Sequence, residues 1–327
     1  MTLMKRFRVT VPDASSSGRS QPVWRLGSVL KFCLGLSRIE RSRIWRLGGA
    51  TINGLPVGAP HVHCLPGDIV EAWYPEALTS VAPEAGLPLR MLYEDEWLLA
   101  IDKPAGQLSH PARGEQRGTT ANAVAARYGT GPIRPVHRLD RHTSGVLIFA
   151  REARAAGLFA RSRSSGALTR DYLALVQGHP SAEGTVHFPL GADPTHRTRR
   201  IALLDAGRIL RFAQDDAVTL SPEQTRGQIP WQAARTTFRV IQYGSVASLM
   251  AARLHTGRTH QLRAHMAALG HPLLADDLYG GPPAPPLGRQ ALHAWRVQLR
   301  HPITQRPLEL TAPLPEDFQR AARAALA

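Results

Sequence analysis

The sequence predicts an α+β protein built from two units of unequal size, and three observations carry that expectation. The chain has 327 residues, too many for one ordinary core. Strand-like apolar runs outnumber helical ones. A stretch rich in Pro, Ala, Gly and Glu between Pro75 and Pro88 reads as a linker. The expected organisation is a flexible arm and small α+β module over 1–75, a linker over 76–90 and a larger unit over 91–327, with a polar insertion at about 203–232.

In the first unit, Pro12 to Gln21 is rich in Ser, Gly and Arg and reads as the arm, with regular structure starting near Val23. Val29, Phe32, Cys33 and Leu36 fall at i, i+3, i+4 and i+7, which predicts a short helix with one apolar face. A second helix is expected from Glu40 to Leu47. Ile44 and Leu47 supply its buried side, while Arg41, Arg43 and Arg46, with Arg38 just before it, give it a basic face. Ala50-Thr51-Ile52-Asn53-Gly54 predicts a strand entering an Asn-Gly hairpin turn, and Pro66-Gly67-Asp68 turns into a strand at Ile69 to Trp73. This arrangement resembles an S4 domain, a small RNA-binding module in which paired helices present arginines to structured RNA. The resemblance implies RNA contacts by Arg38, Arg41, Arg43 and Arg46. Gly35 and the pair Gly48-Gly49 depart from its pattern.

In the second unit, Trp97 to Ile101 predicts a strand closed by Lys103-Pro104-Ala105-Gly106, where Lys-Pro marks a turn. Thr119 to Tyr128 predicts a helix with Ala121, Val124, Ala125 and Tyr128 on its apolar face, and a further helix is expected from Glu152 to Arg161. Strands are expected at Gly145–Ala150, Asp171–Val176, Thr236–Ile241 and Ser248–Leu254. Leu203 to Gln232 is polar, lacks steady periodicity and interrupts this run of elements, hence the insertion.

Composition narrows the function. Lys and Arg number 40 against 25 Asp and Glu, a net charge of +15 with a pI near 11.1, so a polyanionic partner is expected. Two cysteines exclude a disulfide framework, and neither has metal-site spacing. His255, His260 and His265 lie five apart and share no helix face, so no metal is expected. No apolar run approaches a bilayer span, and Met1–Val11 lacks the apolar core of a secretory signal. The expectation is a cytoplasmic protein with no membrane partner.

Arg134 to Gly145 reads Arg-Pro-Val-His-Arg-Leu-Asp-Arg-His-Thr-Ser-Gly, a loop expected at the edge of an apolar strand. Asp140 is its one acid, with His137, Arg138, Arg141 and His142 within three residues. Neighbouring cations favour an ionised carboxylate, available as nucleophile or base. By itself such a string more often forms a surface ion-pair patch. A second stretch, Leu254-His255-Thr256-Gly257-Arg258-Thr259-His260-Gln261-Leu262-Arg263, follows a strand and opens a helix that ends at Gly270-His271-Pro272. Leu262, Met266 and Leu269 make its apolar face, and His260, Arg263 and Ala267 fall on another.

Taken with Tyr93-Glu94-Asp95-Glu96, Asp102-Lys103-Pro104-Ala105-Gly106, Tyr172-Leu173-Ala174-Leu175-Val176, Leu292-His293-Ala294-Trp295 and Ala312-Pro313-Leu314-Pro315-Glu316-Asp317, these stretches resemble the ribosomal large-subunit pseudouridine synthase family of RluA type, over about Met91 to Phe318. The resemblance implies a mixed, largely antiparallel β-sheet with flanking helices and no cofactor. It implies that Asp140 is the catalytic aspartate, that Tyr172 stacks on the target base, and that Arg263 pairs with the aspartate. Arg138 would help hold the opened RNA, Arg258 and His260 would touch its backbone, and Arg141 is expected among the RNA-binding residues. The insertion, Arg170 in place of a lysine and Ala275 in place of a glycine depart from the family pattern.

The expected activity is isomerisation of specific uridines by a monomer, in large-subunit rRNA first, with tRNA as the alternative. Two rivals differ in class. A non-catalytic RNA-binding assembly factor gains nothing from an acid that faces phosphate, and a glycosidic hydrolase commonly needs two carboxylates where Asp140 has no companion.

Overall fold

The computed structural model describes residues 4–13, 24–36, 38–75, 81–129, 134–204, 209–212, 217–220 and 229–327. Near the N-terminus, β1 (Met4–Thr10), β2 (Gly49–Ile52), β3 (Leu55–Val57) and β4 (Ile69–Pro75) form an antiparallel sheet in the order β1-β4-β2-β3. Helix α1 (Arg38–Leu47) covers it and buries Ile44 against Val70, Ala72 and Tyr74. The hairpin between β2 and β3 turns through Asn53 at φ 52° and Gly54 at φ 81°, both positive as an Asn-Gly turn of this kind requires.

Three local expectations are corrected here. Regular structure begins at Met4, well before Val23, because β1 pairs along the whole of β4; Lys5 at a half-buried position hides its alternation. The short helix before α1 is wider than an α-helix, with Leu34 N donating to Val29 O, so i+3 leaves the buried face and Phe32 is exposed. Leu47 is exposed too, because α1 turns Glu40 and Ile44, four apart, inward instead. Of the expected arm, residues 14–21 lie outside the described residues. After the expected linker's first residues, also outside them, Val81 is buried in the main core and Glu84 N donates to Asn122 O.

The main sheet runs β9-β14-β15-β8-β16-β7-β6-β5. Its strands are β5 (Arg90–Glu94), β6 (Leu98–Lys103), β7 (Ser144–Ala150), β8 (Leu168–Gln177), β9 (Glu183–Val186), β14 (Thr236–Tyr243), β15 (Ala247–Leu254) and β16 (Leu292–Arg300). A further strand, Pro307–Thr311, pairs β16. Neighbours along this order are antiparallel except β7 with β16, which pair in parallel through Ser144–His293 and Gly145–Ala294. The sheet is thus mixed and largely antiparallel, as the sequence led us to expect.

Both faces of the sheet are covered, which explains why β7 is buried along its whole length. On one face Ile101, Leu147, Phe149, Tyr172, Ala174 and Ala252 meet helices α2 (Thr120–Tyr128) and α4 (Gln261–Ala268). On the other, Ala100, Val146 and Ile148 meet Ala155 and Phe159 of α3 (Ala153–Ser164). Helix α5 (Glu316–Leu326) seals one side with Phe318 and Ala321.

Two strands of a second sheet fall within the expected insertion, which the sequence marks only as polar and aperiodic. Strands β10 (Leu190–Ala192), β11 (Arg200–Leu203), β12 (Ile209–Phe212) and β13 (Ala217–Leu220) form a separate antiparallel sheet. Strands of three or four residues are too short to display a period, which is why the sequence did not reveal them.

Candidate active site

Asp140 lies in the loop that leads into β7, where the parallel seam between β7 and β16 begins. Gly145 makes that seam possible: at φ +112°, a Cβ there would lie 2.7 Å from the Ala294 carbonyl carbon and nearer still to its oxygen. The loop is held from several sides. The Ser109 hydroxyl accepts from Leu139 N and donates to Leu139 O, each at 2.9 Å. Lys103 Nζ donates to Arg141 O at 3.0 Å and Arg289 Nη1 to His142 O at 3.1 Å. Thr143 N donates back to Asp140 O at 3.1 Å. A carboxylate on a loop so tied is positioned before any ligand arrives.

Lys103, expected only to mark a turn, is fully buried beneath the site. Its three N–H groups go to Pro104 O and Gln107 O at 2.7 Å and to Arg141 O. Burial pushes its pKa down to about 7; Asp140 opposes that shift while Arg289 and Arg141 add to it. Three carbonyls turned on one nitrogen favour the ammonium form.

Arg263 enters from α4, a helix buried on all sides from Gln261 to Ala267. Its Nη1 lies 3.4 Å from Asp140 Oδ2, while Nε and Nη2 donate to the two oxygens of Asp276 at 2.7 and 2.8 Å. The Tyr279 ring lies against the guanidinium, 5.1 Å from its Cζ. Burial alone would lower the Arg263 pKa, but the pair with Asp276 and the charge of Asp140 raise it. Burial pushes the Asp276 carboxyl up and Arg263 pulls it back; the bidentate geometry is that of an ionised pair.

Tyr172, on β8, faces the same core as Leu139 and Leu262. It sits at a bulge, where β8 and β16 lose register between Asp171 and Leu173, a device common beside active sites. Burial raises its pKa, Arg170 lowers it and Asp140 adds a further rise. Only 5% of Tyr172 is exposed, too little for a whole ring face.

Asp140 and Arg263 therefore meet, and Tyr172 lies in the core that also holds Leu139 and Leu262, the chain neighbours of those two residues. His260, expected at the RNA backbone, is largely buried beside Asp140: its side chain is 12% exposed, with Nε2 3.9 Å from Asp140 Oδ2 and Nδ1 3.2 Å from the Tyr279 hydroxyl. It caps α4 in the left-handed region at φ 55°, a conformation that concentrates at functional sites. Burial pushes its pKa down to about 4, with Asp140 opposing and Arg263 adding to the shift, so it is neutral at pH 7. Arg138 and Arg258 are exposed at the rim, where Arg258 Nε reaches Ala233 O at 3.0 Å. Arg141 is bound to Glu115, an acid distant in sequence that local reading of the loop could not supply. Arg38 and Arg46 are exposed on α1, while Arg41 and Arg43 are half-buried.

Asp276 and Tyr279 escaped the sequence reading because Ala275-Asp276-Asp277-Leu278-Tyr279 shows no period. Ala275, where the resemblance leads one to expect glycine, adopts φ 55°, the backbone conformation that glycine favours. Arg170 is buried and donates to Thr256 O at 3.0 Å and Leu254 O at 3.5 Å, bracing the entry to α4. Among the described residues no cluster of three His, Cys, Asp or Glu side chains could hold a metal, and no helix is long and apolar enough to cross a membrane.

Comparison with known proteins identifies the family. The family model described as RNA pseudouridylate synthase matches residues 97–268, which include Asp140, Tyr172 and Arg263. The chain is 39% identical over 252 residues to a Bacillus subtilis protein named uncharacterized RNA pseudouridine synthase YhcT, covering 75% of this chain and 74% of that one. It is 33% identical over 331 residues to ribosomal large subunit pseudouridine synthase D of Xanthomonas campestris pv. campestris, covering 96% and 90%. The solved structure of human RNA Pseudouridylate Synthase Domain Containing 1 superposes with a TM-score of 0.54 at 25% identity, covering 71% of this chain and 86% of that one. The chain belongs to the RNA pseudouridylate synthase family.

Proposed function

We propose that this isomerase converts specific uridines to pseudouridine in large-subunit ribosomal RNA, acting as a cytoplasmic monomer, with Asp140 as the catalytic carboxylate. The observation that carries the reading is the Asp140–Arg263 contact at 3.4 Å, set in a protein of net charge +15. In the reaction the N1–C1′ bond breaks, uracil turns, C5 bonds to C1′, C5 loses its proton and N1 gains one. Nothing is oxidised or reduced. Asp140 attacks C1′, attacks the pyrimidine ring or removes a sugar proton; each route needs an ionised carboxylate beside the nucleotide, and Arg263 stabilises that charge against desolvation.

The base must first leave its stack at a cost of a few kcal/mol. Exposed Arg138 and Arg258 at the rim, and half-exposed Arg141, offset that cost through phosphate contacts. Tyr172 forms the floor of the site; stacking on it requires the cleft to open as the nucleotide enters, because the ring face is covered in the free protein. The first unit acts as an S4-like docking module through Arg38 and Arg46, with Arg41 and Arg43 supporting them. Relatives named for the large ribosomal subunit favour rRNA over tRNA.

Chemical mapping of pseudouridine in cellular RNA tests this reading, with wild type, a deletion strain and Asp140→Asn compared. One or more rRNA positions should lose modification in both altered strains. An unchanged map in both would overturn the activity, loss confined to tRNA would overturn the substrate, and full modification by Asp140→Asn would remove Asp140 alone.

A further inference from the structure

Arg263 is shared between two carboxylates, and they hold it unequally. Asp276 takes Nε and Nη2, at 2.7 and 2.8 Å, and its side chain is completely buried. Asp140 meets only Nη1, at 3.4 Å, with its side chain 23% exposed. The closer and drier partner is therefore not the residue placed to meet the nucleotide.

We propose that Asp276 is a positioning residue: by holding the Nε–Nη2 edge of Arg263 it fixes the plane of the guanidinium so that Nη1 is directed at one oxygen of Asp140, and the Asp140 charge is supported without both of its oxygens being clamped. Such a restraint suits the chemistry. A planar guanidinium prefers two parallel hydrogen bonds to a carboxylate, and a bidentate grip would tie up the oxygens with which Asp140 must act on the nucleotide.

The backbone around Asp276 is built to hold it. Asp276 O accepts from Gly281 N at 2.8 Å and Tyr279 N at 3.1 Å. The preceding Ala275 is kept in the left-handed region at φ 55°, a conformation that costs an alanine energy. The Tyr279 ring then closes the far side of the guanidinium. A carboxylate needed only to neutralise a buried charge would not need its backbone braced in this way.

The inference rests on the isomerase reading, and its test separates the two. Single-turnover isomerisation and RNA affinity are measured for wild type, Asp276→Asn, Arg263→Lys and the double variant on large-subunit rRNA transcripts, with thermal melts alongside. Inactive wild type on every transcript would count against the proposed function. With active wild type, Asp276→Asn should slow turnover by roughly 100-fold, the scale of a small misplacement of a reacting group, and leave RNA affinity within about threefold. The double variant should be no slower than Arg263→Lys, because a residue that acts through another has no effect once that partner's fork is gone. Turnover of Asp276→Asn near wild type, or a double variant slowed by the product of the single effects, would overturn the inference. If Asp276→Asn does not fold, Asp276→Glu carries the test: slowed turnover with an unchanged melt supports positioning, and wild-type turnover overturns it.

Discussion

Lys103 Nζ donates to the carbonyl of Arg141, one residue past Asp140, at 3.0 Å. The same ammonium holds Pro104 O and Gln107 O, so one buried charge ties the end of β6 to the Asp140 loop. Lys103→Met keeps the aliphatic volume and strips three acceptors of their donor. Each orphaned carbonyl costs about 1–3 kcal/mol if it stays buried, so urea unfolding should show a loss of several kcal/mol, and turnover should fall more than RNA binding. A variant with wild-type stability and rate would mean that the loop is fixed without Lys103.

Acid should destabilise this protein above the usual carboxylate range. His260, His265 and His293 all have pKa values pushed down to about 4, in each case chiefly by burial. An unfolded histidine titrates near 6.5. Between about pH 6.5 and 4 the unfolded chain therefore binds more protons than the folded one, so the stability these groups confer is whole above that window and is lost as pH falls through it. His265 is the cleanest reporter, held between the Thr236 hydroxyl and Phe188 O at 2.9 Å each. His265→Gln should flatten the slope of stability against pH by about one proton; an unaltered slope would show that His265 does not contribute.

Gly145→Ala should damage both the fold and the site. The added Cβ collides with the backbone of Ala294, and φ +112° is hostile to alanine. Neither strand can move away, because Ser144–His293 and Gly145–Ala294 are the pairs that join β7 to β16. Loss of soluble folded protein, or a destabilisation beyond about 3 kcal/mol, is expected. A melt within a few degrees of wild type would show that the seam can yield.

The contrast between residues that were legible in the sequence and those that were not has a physical basis. Asp140, Tyr172 and Arg263 stood out because each lies in a distinctive local string beside a periodic element. Asp276 and Lys103 did not, because their roles are defined by partners far along the chain: Arg263 in one case and the carbonyl of Arg141 in the other. Strand β1 was missed because Lys5 interrupts its apolar face, and Phe32 was misplaced because a widened helical turn breaks the period on which the reading relied. His260 could be assigned to a face of α4 but not to a depth, since depth depends on Tyr279 and Asp140 packing over it.

Ala275→Gly offers a test in the opposite direction, toward gain. At φ 55° the alanine pays for a left-handed backbone that glycine adopts freely. The strain relieved is about 1–2 kcal/mol, and the added freedom of the unfolded chain returns roughly 0.4–1 kcal/mol of it. A net gain of up to about 1.5 kcal/mol should appear as a small rise in melting temperature with turnover unchanged. A fall in stability would show that the Ala275 methyl, packed beside Leu274 and Phe318, is worth more than the strain.

The first unit's contribution to RNA binding can be read from salt dependence. Arg38 and Arg46 are exposed on α1 and face no acid at ion-pair distance among the described residues. If both touch phosphate, Arg38→Ala with Arg46→Ala should weaken binding on all RNA sequences alike. The slope of log affinity against log salt should then shrink by about 0.7–0.9 per lost contact. Because α1 is distant in sequence from the Asp140 loop and its two arginines support no core residue, turnover of bound RNA should be unaffected. An unchanged slope would mean that α1 presents a solvated basic face with no ligand, and the docking role would pass to the rim arginines Arg138 and Arg258.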